Sequence, residues 1–139
     1  MKQNILIVDD QKANLVALEA TLAGLDVNVI AATSGPEALS ILLKQNMALV
    51  LLDVQMPGMD GFEVASLMRQ RGKTRHTPII FLTAINKEDS YLFKGYESGG
   101  VDFIFKPYDP FVLISKVRIF LELDLRRQQL SDAWKELET

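Results

Sequence analysis

Leu49-Val50-Leu51-Leu52-Asp53-Val54-Gln55-Met56-Pro57-Gly58-Met59-Asp60-Gly61 is the stretch that decides the fold. A run of large aliphatics ends in a carboxylate, and a Pro/Gly turn follows at once. An aliphatic run of this length, bounded by turn signals, fits a strand buried on both faces. Asp53 then stands where the strand leaves the core. Buried Asp is rare unless paired or bound to metal. Asp53 is therefore either a helix cap or a working group, and its neighbours in the fold decide which.

Working outward, four more short apolar runs accompany this one: Ile5 to Val8, Val27 to Ala31, Ile79 to Leu82 and Val101 to Phe105. Segments with helical spacing lie between them. Leu15, Leu18 and Leu22 mark the first, which Gly24 ends. Ser34 and Glu37 open the second as a capping box, and Asp60 and Glu63 open the third, whose inner face is Val64, Leu67 and Met68. The fourth begins near Asn86-Lys87-Glu88-Asp89 and stops at Gly99-Gly100. Asp109-Pro110 caps the fifth, with Pro at the first helical position. Alternation of strand and helix implies an α/β fold: a three-layer, doubly wound, five-stranded parallel sheet joined by right-handed crossovers. The flavodoxin-like order 2-1-3-4-5 suits five strands, and no G-x-G-x-x-G follows the first strand to signal a dinucleotide.

Composition narrows the function classes. The 139 residues suit one ordinary domain, and 48% hydrophobic content supplies a core. Cysteine is absent, which removes thiol chemistry and fits a reducing compartment. A net charge of -3 without a basic block argues against direct nucleic-acid binding. No stretch is long enough to span a bilayer, and no signal peptide is seen, so a cytoplasmic protein without membrane attachment is the expectation.

The strand ends carry the chemistry. The first ends in Asp9-Asp10, the third in Asp53, the fourth in Thr83-Ala84 and the fifth in Lys106-Pro107. In the order 2-1-3-4-5 these ends are neighbours along one edge, where open α/β sheets place their sites. Three converging carboxylates repel and call for a cation. Oxygen ligands without His or Cys select a hard ion, Mg²⁺ before Zn²⁺. Lys106 suits a phosphoryl group, and Thr83 can donate to one of its oxygens. Asp53, central and presented at a strand end, is the best candidate nucleophile, since carboxylates form acyl phosphates.

The ordered set Asp9-Asp10, Asp53 with Met56 to Gly61, Thr83-Ala84 and Lys106-Pro107 resembles the receiver domain of two-component response regulators, over about residues 4–122. The resemblance implies that Asp53 accepts a phosphoryl group from a phosphohistidine of a sensor histidine kinase or a phosphotransfer protein. It implies that Asp10, Asp53 and the Gln55 backbone carbonyl hold Mg²⁺, with Mn²⁺ able to substitute, while Asp9 acts through metal-bound water. Thr83 and Lys106 would bind the phosphoryl oxygens, and the Lys106–Pro107 peptide would be cis. Phe103 stands at the aromatic switch position. Thr83 drawn toward the phosphate would let Phe103 turn inward and reshape the surface of the fourth helix, fifth strand and fifth helix. Such a domain is a regulatory phosphoacceptor and no enzyme beyond its own phosphorylation and dephosphorylation. Gln55 and Ile85, two residues past Asp53 and Thr83, fall where this family tunes phosphate lifetime. An apolar Ile85 cannot orient a water, so slow dephosphorylation is expected.

Two other classes compete. An Asp-nucleophile phosphohydrolase wants a second Asp two residues on, where Gln55 stands. A constitutive pseudo-receiver is opposed by the complete acidic set. His76, in a polar loop, is read as solvated, and Met56 and Met59 as packing residues.

The domain is taken as residues 1–122 and the helical extension as 123–139. Phe120, Leu123, Leu130, Trp134 and Leu137 fit heptad a/d places, with Arg127 the polar exception. The extension resembles a signalling helix, and is expected to be a coiled-coil linker that makes a homodimer or leads to a downstream effector domain.

Overall fold

Aliphatic β-formers at the positions just quoted build one sheet. The structure is a computed structural model, and it describes residues 2–84, 99 and 102–138. Its strands are β1 (Gln3–Val8), β2 (Val27–Ala32), β3 (Leu49–Asp53), β4 (Ile79–Thr83) and β5 (Asp102–Phe105). Its helices are α1 (Lys12–Leu22), α2 (Gly35–Lys44), α3 (Gly61–Gln70) and a C-terminal helix, Pro110–Glu138. All strand pairs are parallel, in the order β2-β1-β3-β4-β5. The fold class and strand order expected from the sequence are those observed. The helical segment expected from Asn86, together with Ile85, Gly100 and Val101, lies outside the described residues.

Alternation along β3 sends its residues to two different cores. Val50 and Leu52 pack with Ala38, Leu39 and Leu42 of α2 and with Phe62, Val64, Ala65 and Met68 of α3. Leu49 and Leu51 pack with Leu15, Leu18 and Leu22 of α1 and with Leu113 and Val117 of the C-terminal helix. Both faces of the sheet are thus covered, which is why β3 and β4 are buried at every position.

Local chemistry sets the helix starts, with one departure from expectation. Asp60 and Glu63 form a complete capping box at α3. At α2 the Ser34 hydroxyl accepts from the Glu37 N–H, but the Glu37 carboxylate turns to the Thr33 N–H at 2.6 Å. Only the returning bond is displaced by one residue; Ser34, with extended backbone, remains the N-cap. Asp109 caps the C-terminal helix, its carboxylate accepting from the Phe111 N–H at 2.8 Å.

Arg69 ties the far end of α3 to two connections. Its guanidinium donates to the carbonyls of Thr74, Arg75 and Thr77, and twice to Gly99. Burial of the guanidinium lowers its pKa. Gly99 has φ of 99°, and a side chain there would collide with Arg69.

Gly61 joins packing to the strand end. Its N–H donates to the Val54 carbonyl at 2.9 Å, and a Cβ on it would overlap the backbone carbonyl of Asp53 and lie 2.9 Å from Val54 Cα. Backbone on both sides leaves nothing to give way. Gly61→Ala is expected to lower stability by about 1–3 kcal/mol, measured by urea unfolding. An unchanged midpoint would show that α3 can draw back from β3.

Candidate functional site

Sheet register gathers the polar strand ends. Val8 pairs with Leu52, so the next residue of β1, Asp9, comes level with Asp53. Asp53 pairs with Leu82, so Thr83 lies one step further along the adjacent strand. Thr83 in turn pairs with Phe105, and the Lys106 N–H donates to the Thr83 carbonyl at 2.8 Å. Four strands deliver one polar group each to the same edge. Aliphatic pairing deeper in the sheet thus fixes where the charges sit.

The carboxylates of Asp9, Asp10 and Asp53 offer oxygens that all lie within 4.8 Å of one another. Asp9 and Asp53 are buried, and Asp10 is the more exposed of the three. Lys106 Nζ lies 3.2 Å from Asp9 Oδ2 and 3.7 Å from Asp53 Oδ1. The other oxygen of Asp9 accepts from the Gln11 N–H at 2.9 Å. The α1 N-cap is Gln11, whose side chain makes no cap bond, so Asp9 holds the turn just ahead of that helix. A capping role and a site role coexist in that residue.

Burial pushes the Asp53 carboxyl up to about 6, opposed first by the Lys106 ammonium. The charges of Asp9 and Asp10 push in the same direction as burial, and the Gln55 N–H bond to the carboxylate opposes it. One ammonium against three carboxylates leaves the cluster short of positive charge. Three hard oxygen donors with that deficit fit a divalent cation of the Mg²⁺ type.

The structure brings Asp9, Asp10, Asp53 and Lys106 together, with Thr83 fully buried at the adjoining strand end. Gln55 is exposed just past Asp53, on the turn that Gly58 closes with φ of 76°. The Lys106–Pro107 peptide is cis, as the resemblance implies. Phe103 lies below the site in the core, 6% exposed, its ring 5.2 Å from Phe81 and 5.9 Å from Phe105. His76 is exposed, and Met56 is buried, both as expected. Sequence reasoning missed the pairing of Lys106 with Asp9, because strand-end residues do not announce which acid an ammonium reaches. It also missed Gly61 as support for Asp53; the Asp60-Gly61 dipeptide was legible only as a helix start.

The sequence matches the response regulator receiver domain family over residues 5–118. It is 41% identical over 118 residues to the response regulator PleD of Caulobacter vibrioides, covering 85% of this chain and 26% of PleD. It is 36% identical over 121 residues to the transcriptional regulatory protein SrrA of Staphylococcus aureus, covering 87% of this chain and 48% of SrrA. The chain thus spans a quarter to a half of these curated relatives. The structure of the chemotaxis protein CheY4 of Vibrio cholerae superposes with a TM-score of 0.81 at 28% identity, covering 87% of this chain and all of that one. A family match over most of the chain, on a sheet of this order with the acids at its edge, places the chain in the response regulator receiver domain family.

Proposed function

We propose that this receiver domain takes a phosphoryl group from a partner phosphohistidine onto Asp53 and passes the change to a partner or a linked effector domain. The observation that carries the proposal is the buried Asp53 carboxylate beside two further acids and the Lys106 ammonium. An Asp53 oxygen attacks phosphorus, the P–N bond to the donor imidazole breaks, and the leaving nitrogen takes up a proton. Lys106 exchanges its contact with the Asp53 oxygen for a phosphoryl oxygen, and the Thr83 hydroxyl donates to another. Asp10, Asp53 and the Gln55 carbonyl would hold Mg²⁺, with Mn²⁺ as a substitute and Asp9 acting through bound water. Bound there, the cation supplies charge neutralisation for crowded oxygens.

The relay outward uses the core. Movement of Thr83 toward the phosphoryl group opens room beside Phe81 and Phe105, where Phe103 packs. A shift of that ring alters how β5 and the C-terminal helix present their outer surface, as a change in population between two packings. The C-terminal helix runs unbroken through residues 122 and 123, and exposes Leu123, Leu130, Trp134 and Leu137. These stand at heptad places, so a second copy of the helix is the partner that would cover them. Residues 1–122 would then be the signalling unit and 123–139 a dimerising linker. No described helix is long and apolar enough to cross a membrane; a cytoplasmic location is part of the proposal.

Incubation with acetyl phosphate and Mg²⁺ should add one phosphoryl group by intact mass, and Asp53→Asn and excess EDTA should each abolish it. Addition to the Asp53→Asn chain would move the acceptor elsewhere. Repeated turnover of a generic phosphomonoester would favour a hydrolase instead.

The raised Asp53 carboxyl makes a second outcome. Its folded value, about 6, exceeds the unfolded 3.8, so the protonated folded state is favoured. That contribution is fully present below about pH 4 and is lost as pH rises through about 6. At pH 8 without divalent cations, Asp53→Asn should be more stable than wild type, by at most about 3 kcal/mol, with the gap closing near pH 4. Mg²⁺ should raise the wild-type melting temperature at pH 8 and not at pH 4. A gap that does not change with pH would refute the burial argument.

Sedimentation velocity tests the tail. Leu130→Glu with Leu137→Glu should shift dimer to monomer and leave Asp53 loading intact; a wild type monomeric at all concentrations would end this assignment.

A further inference from the structure

We propose that the end of the sheet opposite the carboxylates binds a small phosphate-bearing anion of nucleotide size. A cavity of about 640 Å³ lies there, walled by the start of β1, the α3–β4 connection and the C-terminal helix. That volume falls within the ordinary range for small-molecule sites. Lys2 comes from the chain's beginning, Lys73 and His76 from the connection, and Arg127 and Lys135 from the helix. Thus four of the 15 Lys and Arg line it together with the sole His, against one of the 18 Asp and Glu. Lys2 pairs with Asp26 at 3.4 Å and Arg127 with Asp124 at 3.3 Å, so the excess positive charge rests on Lys73 and Lys135.

The lone acid is already spoken for. Asp124 is buried and accepts from Gln3 at 3.0 Å, Gln128 at 2.8 Å and Arg127 at 3.3 Å. Arg127 balances that charge inside the wall, and the ammonium groups of Lys73 and Lys135 are left to face a ligand. Lys73 Nζ donates to the Leu43 carbonyl at 2.8 Å, which fixes the ammonium at the rim with further N–H donors to offer. His76 and Lys135 are exposed on opposite walls. Gln45 and Asn46 add exposed amides that can pair with the donor and acceptor edge of a heterocycle, over a floor of Leu42 and Met47. Ammonium groups on separate elements suit phosphate oxygens, and amides suit a base.

The site is compatible with the proposed dimer seam. Asp124, Gln128 and Lys135 follow i, i+4, i+11 spacing and face the cavity, while Leu123, Leu130 and Leu137 form a neighbouring stripe. A ligand held by Lys73 and His76 from the connection and by Lys135 from the helix would fasten the helix to the domain. The proposal does not depend on phosphorylation of Asp53.

Fluorescently labelled ATP, titrated into the whole chain in EDTA and followed by anisotropy, tests the proposal. Saturable binding is expected, weakened by added salt and displaced by unlabelled ATP and by pyrophosphate. The double variant His76→Glu with Lys135→Glu changes only exposed side chains and should bind roughly tenfold or more weakly. Lys73→Gln, a separate substitution, should weaken binding as well. Acetyl phosphate should still load Asp53 in every variant. No saturation up to millimolar nucleotide, displacement by adenosine and not by pyrophosphate, or equal affinity in well-folded variants would each overturn the site.

Discussion

Like charges crowded at the edge of an apolar sheet are the constraint around which this molecule is arranged. Asp9, Asp10 and Asp53 lie close enough that their mutual repulsion opposes folding, and Lys106 offsets only part of it. The sheet tolerates the crowding because its aliphatic pairs set the register and leave the acids no other position. β3 and β4 contribute ten buried residues, five each, and most are aliphatic. Apolar burial at about 25 cal/mol per Å² readily outweighs a few kcal/mol of repulsion. The strain is therefore local, and the excess negative charge favours a cation there.

That arrangement explains the division of labour along each strand. Inner residues hold the register, and the last one or two carry chemistry. The turn after Asp53 follows the same logic. Gly61 lets α3 approach the strand end closely, and the capping box from Asp60 to Glu63 fixes where the helix begins. A backbone packed this tightly keeps the Asp53 carboxylate in one place. The phosphoryl transfer proposed for the site would need such stiffness, because that chemistry depends chiefly on positioning and charge.

Much of this was legible in the residues. Strand positions showed in Ile5 to Val8 and Leu49 to Leu52, because fully buried parallel strands are written as unbroken aliphatic runs. The converging acids showed because topology determines which strand ends are neighbours. What did not show depends on long-range geometry. The 118-residue separation between Gln3 and Leu121 leaves no local mark, yet the Gln3 amide donates to that carbonyl at 2.8 Å and also to Asp124. Nothing in the sequence marked Asp124 or Arg69, whose carbonyl partners come from loops with paths that periodicity does not encode. At α2 Ser34 remains the cap, and the turn of the Glu37 carboxylate to the Thr33 N–H left no mark in the sequence.

The C-terminal helix has a mechanical side. Its root, at Leu113 and Val117, is seated in the core, and Gln3 clasps it again at Leu121 and Asp124. From Asp124 to Glu138 it continues for about 21 Å at 1.5 Å per residue. A tilt of about 5° at the clasp would swing the far end by about 2 Å, by the same rod geometry. Such a rod magnifies small rearrangements of the core, much as a pointer magnifies the turning of its spindle. Anything fastened to the tip would feel a displacement larger than the one made at the clasp.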